Sequence, residues 1–310
     1  MDIFIQQIIN GLTLGCVYAV VALGYTMVYG IIQLINFAHG DVVMIGAMTA
    51  MTVIAGLLKS AGLPPAMILL AGTLAAVPLC MGVAYLLERV AYRPLRKAPR
   101  LAPLITAIGL SIILQHIAML VWSRSPMAFP EVIKVTSYEL GKDGARITNI
   151  QIIIIVMSTA MMAGLTWLVY RTKLGTAMRA TSQNQAVAGL MGININAVIS
   201  STFVIGAALA AVAGVMIGTY YGQAQYTMGE LLGMKAFCAA VLGGIGNLAG
   251  AMLGGILLGL VEALGTGYIG DLTNNVFGSN YRDVFAFIVL IGVLVFRPSG
   301  LLGERVGDRA

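Results

Sequence analysis

Apolar residues run almost unbroken from position 3 to position 58, interrupted by one polar island, Asn36-Phe37-Ala38-His39-Gly40-Asp41. Between Asp2 and Lys59 the only formally charged residue is Asp41. Further apolar segments recur downstream at lengths that suit a bilayer, which a helix crosses with about 20 apolar residues. The pattern predicts segments over 8–32, 42–58, 66–88, 104–122, 150–170, 197–221, 234–264 and 284–296, the last short for a full span. The fold class is therefore an all-α polytopic membrane protein of about eight hydrophobic segments, with broken or re-entrant helices and pseudo-repeated halves.

The segment 234–264 holds 31 residues, too many for one untilted helix at 1.5 Å per residue. Its centre reads Gly243-Gly244-Ile245-Gly246-Asn247. Glycine weakens a helix interior by about 1 kcal/mol per residue, so this cluster predicts a break between two shorter helices. Such a break is tolerated only where it is buried in protein or lines a cavity. The polar island Asn36, His39 and Gly40 is the matching interruption in the first half. Paired interruptions are what a repeat-built transporter places beside its pathway. We therefore take Asn36, His39, Gly40, Gly243, Gly244, Gly246 and Asn247 as translocation-path candidates. Two readings of His39 stand: it satisfies a backbone carbonyl at the broken helix, or it gates or binds directly. Asp41 is expected to cap the following helix. Glu262 and His116 read as isolated structural residues, and Glu88-Arg89 as a helix end at the interface. Glycines four apart, at Gly214, Gly218 and Gly222, at Gly246, Gly250 and Gly254, and at Gly255 and Gly259, suit close helix packing, or else a subunit interface or pathway lining.

Charge fixes orientation. Eleven of the 18 Lys and Arg lie in three places: Arg89, Arg93, Arg96, Lys97 and Arg100; Arg171, Lys173 and Arg179; and Arg297, Arg305 and Arg309, the last group diluted by Glu304 and Asp308. The positive-inside rule puts all three in the cytoplasm. Their spacing is one crossing out of step unless 234–264 is a re-entrant hairpin, which also puts the N-terminus outside. The loop 123–149 then faces out, carries mixed charges including Lys142 and Asp143, and has room for a short strand or helix. It joins approximate halves 1–122 and 150–298 of one transmembrane domain over 1–310.

Composition agrees: 59% of the 310 residues are hydrophobic and only 10% charged, against roughly 25% charged in a soluble domain. The net charge of +6 sits in inter-span loops, so it sets orientation and does not indicate nucleic acid. The first segment lacks a basic n-region and is expected to stay as a span. Cys16, Cys80 and Cys238 all fall within apolar segments, which argues against a disulfide framework. The sequence contains no phosphate loop, H-E-x-x-H, C-x-x-C or G-x-S-x-G motif. No catalytic residue, metal site or cofactor is expected, and any energy for pumping must come from a partner or an ion gradient.

The loop 175–194 is small-residue-rich, basic and free of acids. It reads as a helix-compatible run, either lying along the membrane or gripped by a cytoplasmic motor, with Gly175, Arg179, Ala186, Gly189 and Gly192 as its candidate contact residues.

Several stretches carry a family resemblance: Gly11-Leu-Thr-Leu-Gly15, Tyr18-Ala19, Ala22-Leu-Gly24-Tyr25-Thr26-Met27-Val28-Tyr29-Gly30 and Ile35-Asn36-Phe37-Ala38-His39-Gly40; then Glu88-Arg89-Val-Ala-Tyr92-Arg93-Pro94-Leu95-Arg96, the 175–194 loop, and Ala239-Ala-Val-Leu-Gly243-Gly244-Ile-Gly246 with Gly250-Ala251-Met252. In this order they resemble the branched-chain amino-acid ABC importer permeases along nearly the whole chain. The resemblance implies a multi-pass subunit of a bacterial inner membrane. It also implies a paralogous permease, two cytoplasmic ATPases that bind the ATP, and a periplasmic substrate-binding protein as partners. The 175–194 loop would be the ATPase contact, although it lacks the Glu-Ala-Ala opening of the general ABC-permease signature. Urea, short amides or other amino acids are the alternative cargo of the same architecture. A stand-alone facilitator or ion-coupled carrier is the alternative from another class.

Overall fold

A computed structural model describes residues 2–60, 62, 64–96, 98–99, 101–140, 144–272, 281–297 and 299–303. Lys97, Arg100, Lys142, Asp143, Glu304, Arg305, Asp308 and Arg309 lie outside the described residues. The long helices are α1 (Asp2–Ile32), α2 (His39–Ser60), α3 (Pro65–Leu87), α5 (Leu101–Val121), α6 (Asn149–Arg171), α9 (Ile195–Tyr221) and α11 (Leu248–Leu272). These seven are long and apolar enough to cross a membrane. Shorter helices are α4 (Arg93–Leu95), α7 (Lys173–Gln183), α8 (Gln185–Leu190), α10 (Met228–Gly243) and α12 (Arg282–Phe296). The 15 residues of α12 rise about 22 Å, short of the roughly 30 Å hydrocarbon core. The all-α membrane fold stands, with 234–264 divided between α10 and α11 as its glycines require.

Two expectations are corrected here. Glu88-Arg89 is not a helix end: α3 continues through a π-helical turn, Glu88–Tyr92, into α4, and Glu88 is fully buried. The run 175–194 is two helices, because Asn184 is extended between them and caps α8 by accepting from the Val187 N–H at 3.1 Å. The loop 123–149 holds strands: β1 (Met127–Ala128) pairs antiparallel with β4 (Gln223–Ala224), and β2 (Ser137–Leu140) pairs with β3 (Ala145–Thr148).

The chain forms two compact units, each drawing on separate stretches of sequence. One comprises 1–26, 135–160 and 235–310. There, α1 and α11 run antiparallel at backbone contact. A Cβ on Gly11 would strike Leu260, one on Gly15 would strike Ile256, and one on Gly255 would strike Ala19. The hairpin α10–α11 closes the same way, with Gly254 against Ala239 and Gly243 against Gly250. The other unit comprises 27–134 and 161–234. Its centre is α2 between α3 and α9, where Gly46 lies on the Ala211 backbone and Gly214 on that of Val43. Small residues let helix backbones approach where lipid offers no hydrophobic drive to associate. Large apolar side chains such as Leu74, Ile105, Leu120 and Trp167 point outward from α3, α5 and α6, as hydrocarbon-facing positions do. Cys16, Cys80 and Cys238 are free and buried.

Candidate translocation path and coupling loop

The first interruption covers 33–38, between α1 and α2. Gln33 takes a left-handed φ of 53°, uncommon outside glycine, and ends α1 with its N–H donating to the Tyr29 carbonyl at 2.7 Å. The Asn36 carbonyl accepts from the His39 N–H at 3.0 Å, and the Ala38 carbonyl accepts from Val42 at 3.2 Å. This starts α2 at His39, so His39 and Gly40 form its first turn, and of these three candidates only Asn36 lies in the non-helical backbone. The Asn36 side chain accepts from the Tyr92 hydroxyl at 2.7 Å. His39 is buried. Gly40 meets the backbone of Gly229 and Gly233, so any Cβ there would collide with a carbonyl.

Asp41 lies in the first turn of α2, where a negative charge is favoured, yet it is not the cap. It is fully buried and its Oδ1 accepts from Gln115 Nε2 at 3.1 Å, with Ser111 beside it, which ties α2 to α5. Glu88 accepts from Ser200 Oγ at 2.7 Å and pairs with Arg96, whose other nitrogen donates to Asn196 Oδ1 at 2.6 Å. Partial burial pulls the Arg96 guanidinium below its ordinary value and the Glu88 carboxylate pushes it back up. His116 is exposed, its ring bonded to the Ile112 carbonyl one turn back at 2.8 Å, a structural placement.

The second interruption covers 244–247, with Gly244 and Gly246 at φ of 104° and 97°, the region open to glycine. Its stray backbone groups are met by the segment 299–303. Leu301 and Leu302 donate their N–H groups to the carbonyls of Leu242 and Gly243, each at 2.9 Å. Asn247 Nδ2 donates to the Leu302 carbonyl at 2.9 Å, and its Oδ1 accepts from the Gly250 N–H at 3.1 Å, capping α11. The last carbonyls of a helix have no partner within it, so this lacing is what lets α10 stop inside an apolar setting.

In the loop, Thr172 caps α7 by accepting from the Gly175 N–H at 3.1 Å, and a Cβ on Gly175 would strike the Leu168 and Val169 carbonyls. Arg179 is exposed, its guanidinium 5.4 Å from the Tyr170 ring centroid. Ala186 and Gly189 are exposed on α8, beside the exposed apolar side chains of Val187, Leu190 and Met191. Gly192, at φ 83°, ends α8 with the Ile193 N–H reaching the Ala188 carbonyl at 3.1 Å.

The sequence reading missed one cluster. Glu262 is fully buried but not isolated: its carboxylate accepts from Tyr18 (3.0 Å), Lys235 (2.9 Å) and Arg282 (2.7 Å), and Lys235 also pairs with Asp283. The signal was present, since Lys235 is the sole cation between positions 180 and 281. An ionisable residue inside a membrane segment is a functional candidate by default. Among the described residues no group of His, Cys, Asp and Glu has the arrangement to hold a metal ion.

Residues 7–294 match the family described as branched-chain amino acid transport system, permease component. The chain is 48% identical to the high-affinity branched-chain amino acid transport system permease protein BraD of Pseudomonas aeruginosa, over 97% of this chain and 96% of that one. It is 43% identical to the corresponding LivH protein of Escherichia coli strain K12, with the same coverage. The probable branched-chain amino acid transport permease LivH of Methanocaldococcus jannaschii is 27% identical over 91% of this chain and 87% of that one. With a match along nearly its whole length, the chain belongs to the branched-chain amino acid transport system permease family.

Proposed function

We propose that this protein is the membrane-spanning subunit of an ATP-driven importer that carries leucine, isoleucine and valine across a bacterial inner membrane. The observation that carries this reading is the near full-length identity to permease subunits of high-affinity branched-chain amino acid systems. A second permease, two cytoplasmic ATPases and a periplasmic binding protein complete the assembly. ATP is bound by the ATPases. ATP closure moves the 175–194 loop, and the bundle alternates between outward and inward openings. A zwitterion needs polar groups for both charged ends and an apolar wall for its side chain. Non-helical backbone at the breaks 33–38 and 244–247 is of the kind that supplies such groups. The family also admits other small cargo, and the identity of the binding protein decides among these.

Reconstitution tests the reading. Vesicles holding the full complex should take up leucine only with ATP inside the ATPase compartment and binding protein outside. Uptake that proceeds without the ATPases would sink it. Arg179→Glu combined with Gly189→Trp should leave insertion intact and abolish binding-protein-stimulated hydrolysis together with uptake, as loss of the motor contact requires. His39→Ala separates the two roles of that side chain: uptake at the wild-type level limits His39 to structure.

A further inference from the structure

Two hydrogen-bonded routes connect the interrupted segment 33–38 to the 173–194 loop and the foot of α9, all within one compact unit. The first is direct. Gln185, an exposed residue of α8, donates Nε2 to the Ile31 carbonyl at 2.8 Å, in the last turn of α1 two residues before Gln33. The second runs through α3. The Tyr92 hydroxyl donates to Asn36 at 2.7 Å, and its ring lies 5.4 Å from that of Phe203 on α9. Four residues back, Glu88 accepts from Ser200 and pairs with Arg96, which in turn holds Asn196. Asn196 and Ser200 lie in the first two turns of α9, which follows the loop without a further element.

Between Glu88 and Tyr92 the helix is π-wound, the sole π-helical turn among the described residues. A π-turn carries an extra residue in one turn of helix and is a local excursion from the α-helical register. Reverting to α-winding would rotate Tyr92 relative to Glu88 and so separate the Asn36 contact from the Ser200 contact. A fully buried carboxylate is costly to keep, and one of its partners here, Ser200, sits on α9, the element that follows the loop.

We propose that the π-turn 88–92 is the coupling element that passes movement of the 173–194 loop to the interrupted segment. Glu88 and Tyr92 are positioning residues at its two ends, and Gln185 is a parallel contact. The proposal rests on the reading of that loop as the ATPase contact. Tyr92→Phe removes only the hydroxyl, and Gln185→Ala removes the direct route from an exposed position. Each variant is reconstituted in the full complex, and leucine uptake is measured against ATP hydrolysis in the same vesicles. The ratio of leucine carried to ATP hydrolysed should fall roughly fivefold in each, the weight of one net hydrogen bond, with binding-protein-stimulated hydrolysis retained. Thr52→Val deletes a hydrogen bond outside both routes, the one from Trp122 at 2.7 Å, and should keep the wild-type ratio. An unchanged ratio in both variants, a fall in uptake and hydrolysis together, or an equal fall in the Thr52 control overturns the proposal. Where Tyr92→Phe fails to assemble, Gln185→Ala decides alone. Wild-type uptake without ATPases would overturn the importer reading and this proposal with it, whereas an unchanged ratio in an ATP-dependent complex overturns this proposal alone.

Discussion

Glu262 holds three donors from three different helices, Tyr18 on α1, Lys235 on α10 and Arg282 on α12. Removing one member of a buried charge pair costs about 3–5 kcal/mol, because the other charge stays buried. Lys235→Ala should fall near the lower bound, about 3 kcal/mol, since Arg282 and Tyr18 still serve Glu262. Glu262→Ala should cost more, because Lys235 then keeps Asp283 as its one carboxylate partner among the described residues, beside the Tyr18 hydroxyl at 3.4 Å. Thermal unfolding of the purified protein in detergent ranks the two, and equal midpoints would show that the cluster carries no such asymmetry. At this scale the sequence was legible in kind but not in pairing. Lys235 and Glu262 stand out as charges in apolar runs, yet they are 27 residues apart and their partner Tyr18 lies 244 residues from Glu262. No local period links such positions. Asn36 was singled out for its polarity, while Tyr92, 56 residues away, enters only within a stretch of family resemblance until the fold joins them.

Among the elements, the break in 234–264 was legible because glycine acts locally, through backbone conformation at Gly244 and Gly246. What closes the break was not, because its donors come from Leu301 and Leu302. Proline has no N–H, so Leu301→Pro should leave the Leu242 carbonyl without its donor at a cost of about 1–3 kcal/mol. A lowered unfolding midpoint checks this, with Leu301→Ala as the variant that keeps the donor. The glycine stripes likewise divide by surroundings. Gly259→Val would drive a side chain into Gly15 and Gly11 backbone and should abolish accumulation of folded protein. Gly82→Ala, on α3 with open space around it, should be tolerated or gain about 1 kcal/mol from helix propensity. Periodicity alone cannot tell these glycines apart, since both sit in apolar helices.

For the whole molecule, hydropathy and charge were enough for the class and for an orientation that can be tested. With the three native cysteines replaced, a cysteine at Ser125 should react with a membrane-impermeant maleimide in intact cells. One at Ser182 should react only after the inner membrane is opened. The reverse pattern would invert the predicted topology. Which spans pack together was not legible. All the spans are apolar, and the compact units gather stretches far apart in sequence. Partners are set by shape, through small residues such as Gly46 against Ala211 and Gly214 against Val43. Hydropathy carries no information of that sort.

The lacing of 299–303 onto the end of α10 also sets an order of events during synthesis. Leu242 leaves the ribosome 59 residues before Leu301, the residue that satisfies its carbonyl (301 − 242 = 59). Throughout that interval the α10–α11 hairpin can enter the bilayer but cannot be completed. A nascent chain stalled after α12 and before 299 would therefore present an open helix end to quality control, and ribosomes arrested there should yield a species cleared faster than the finished permease.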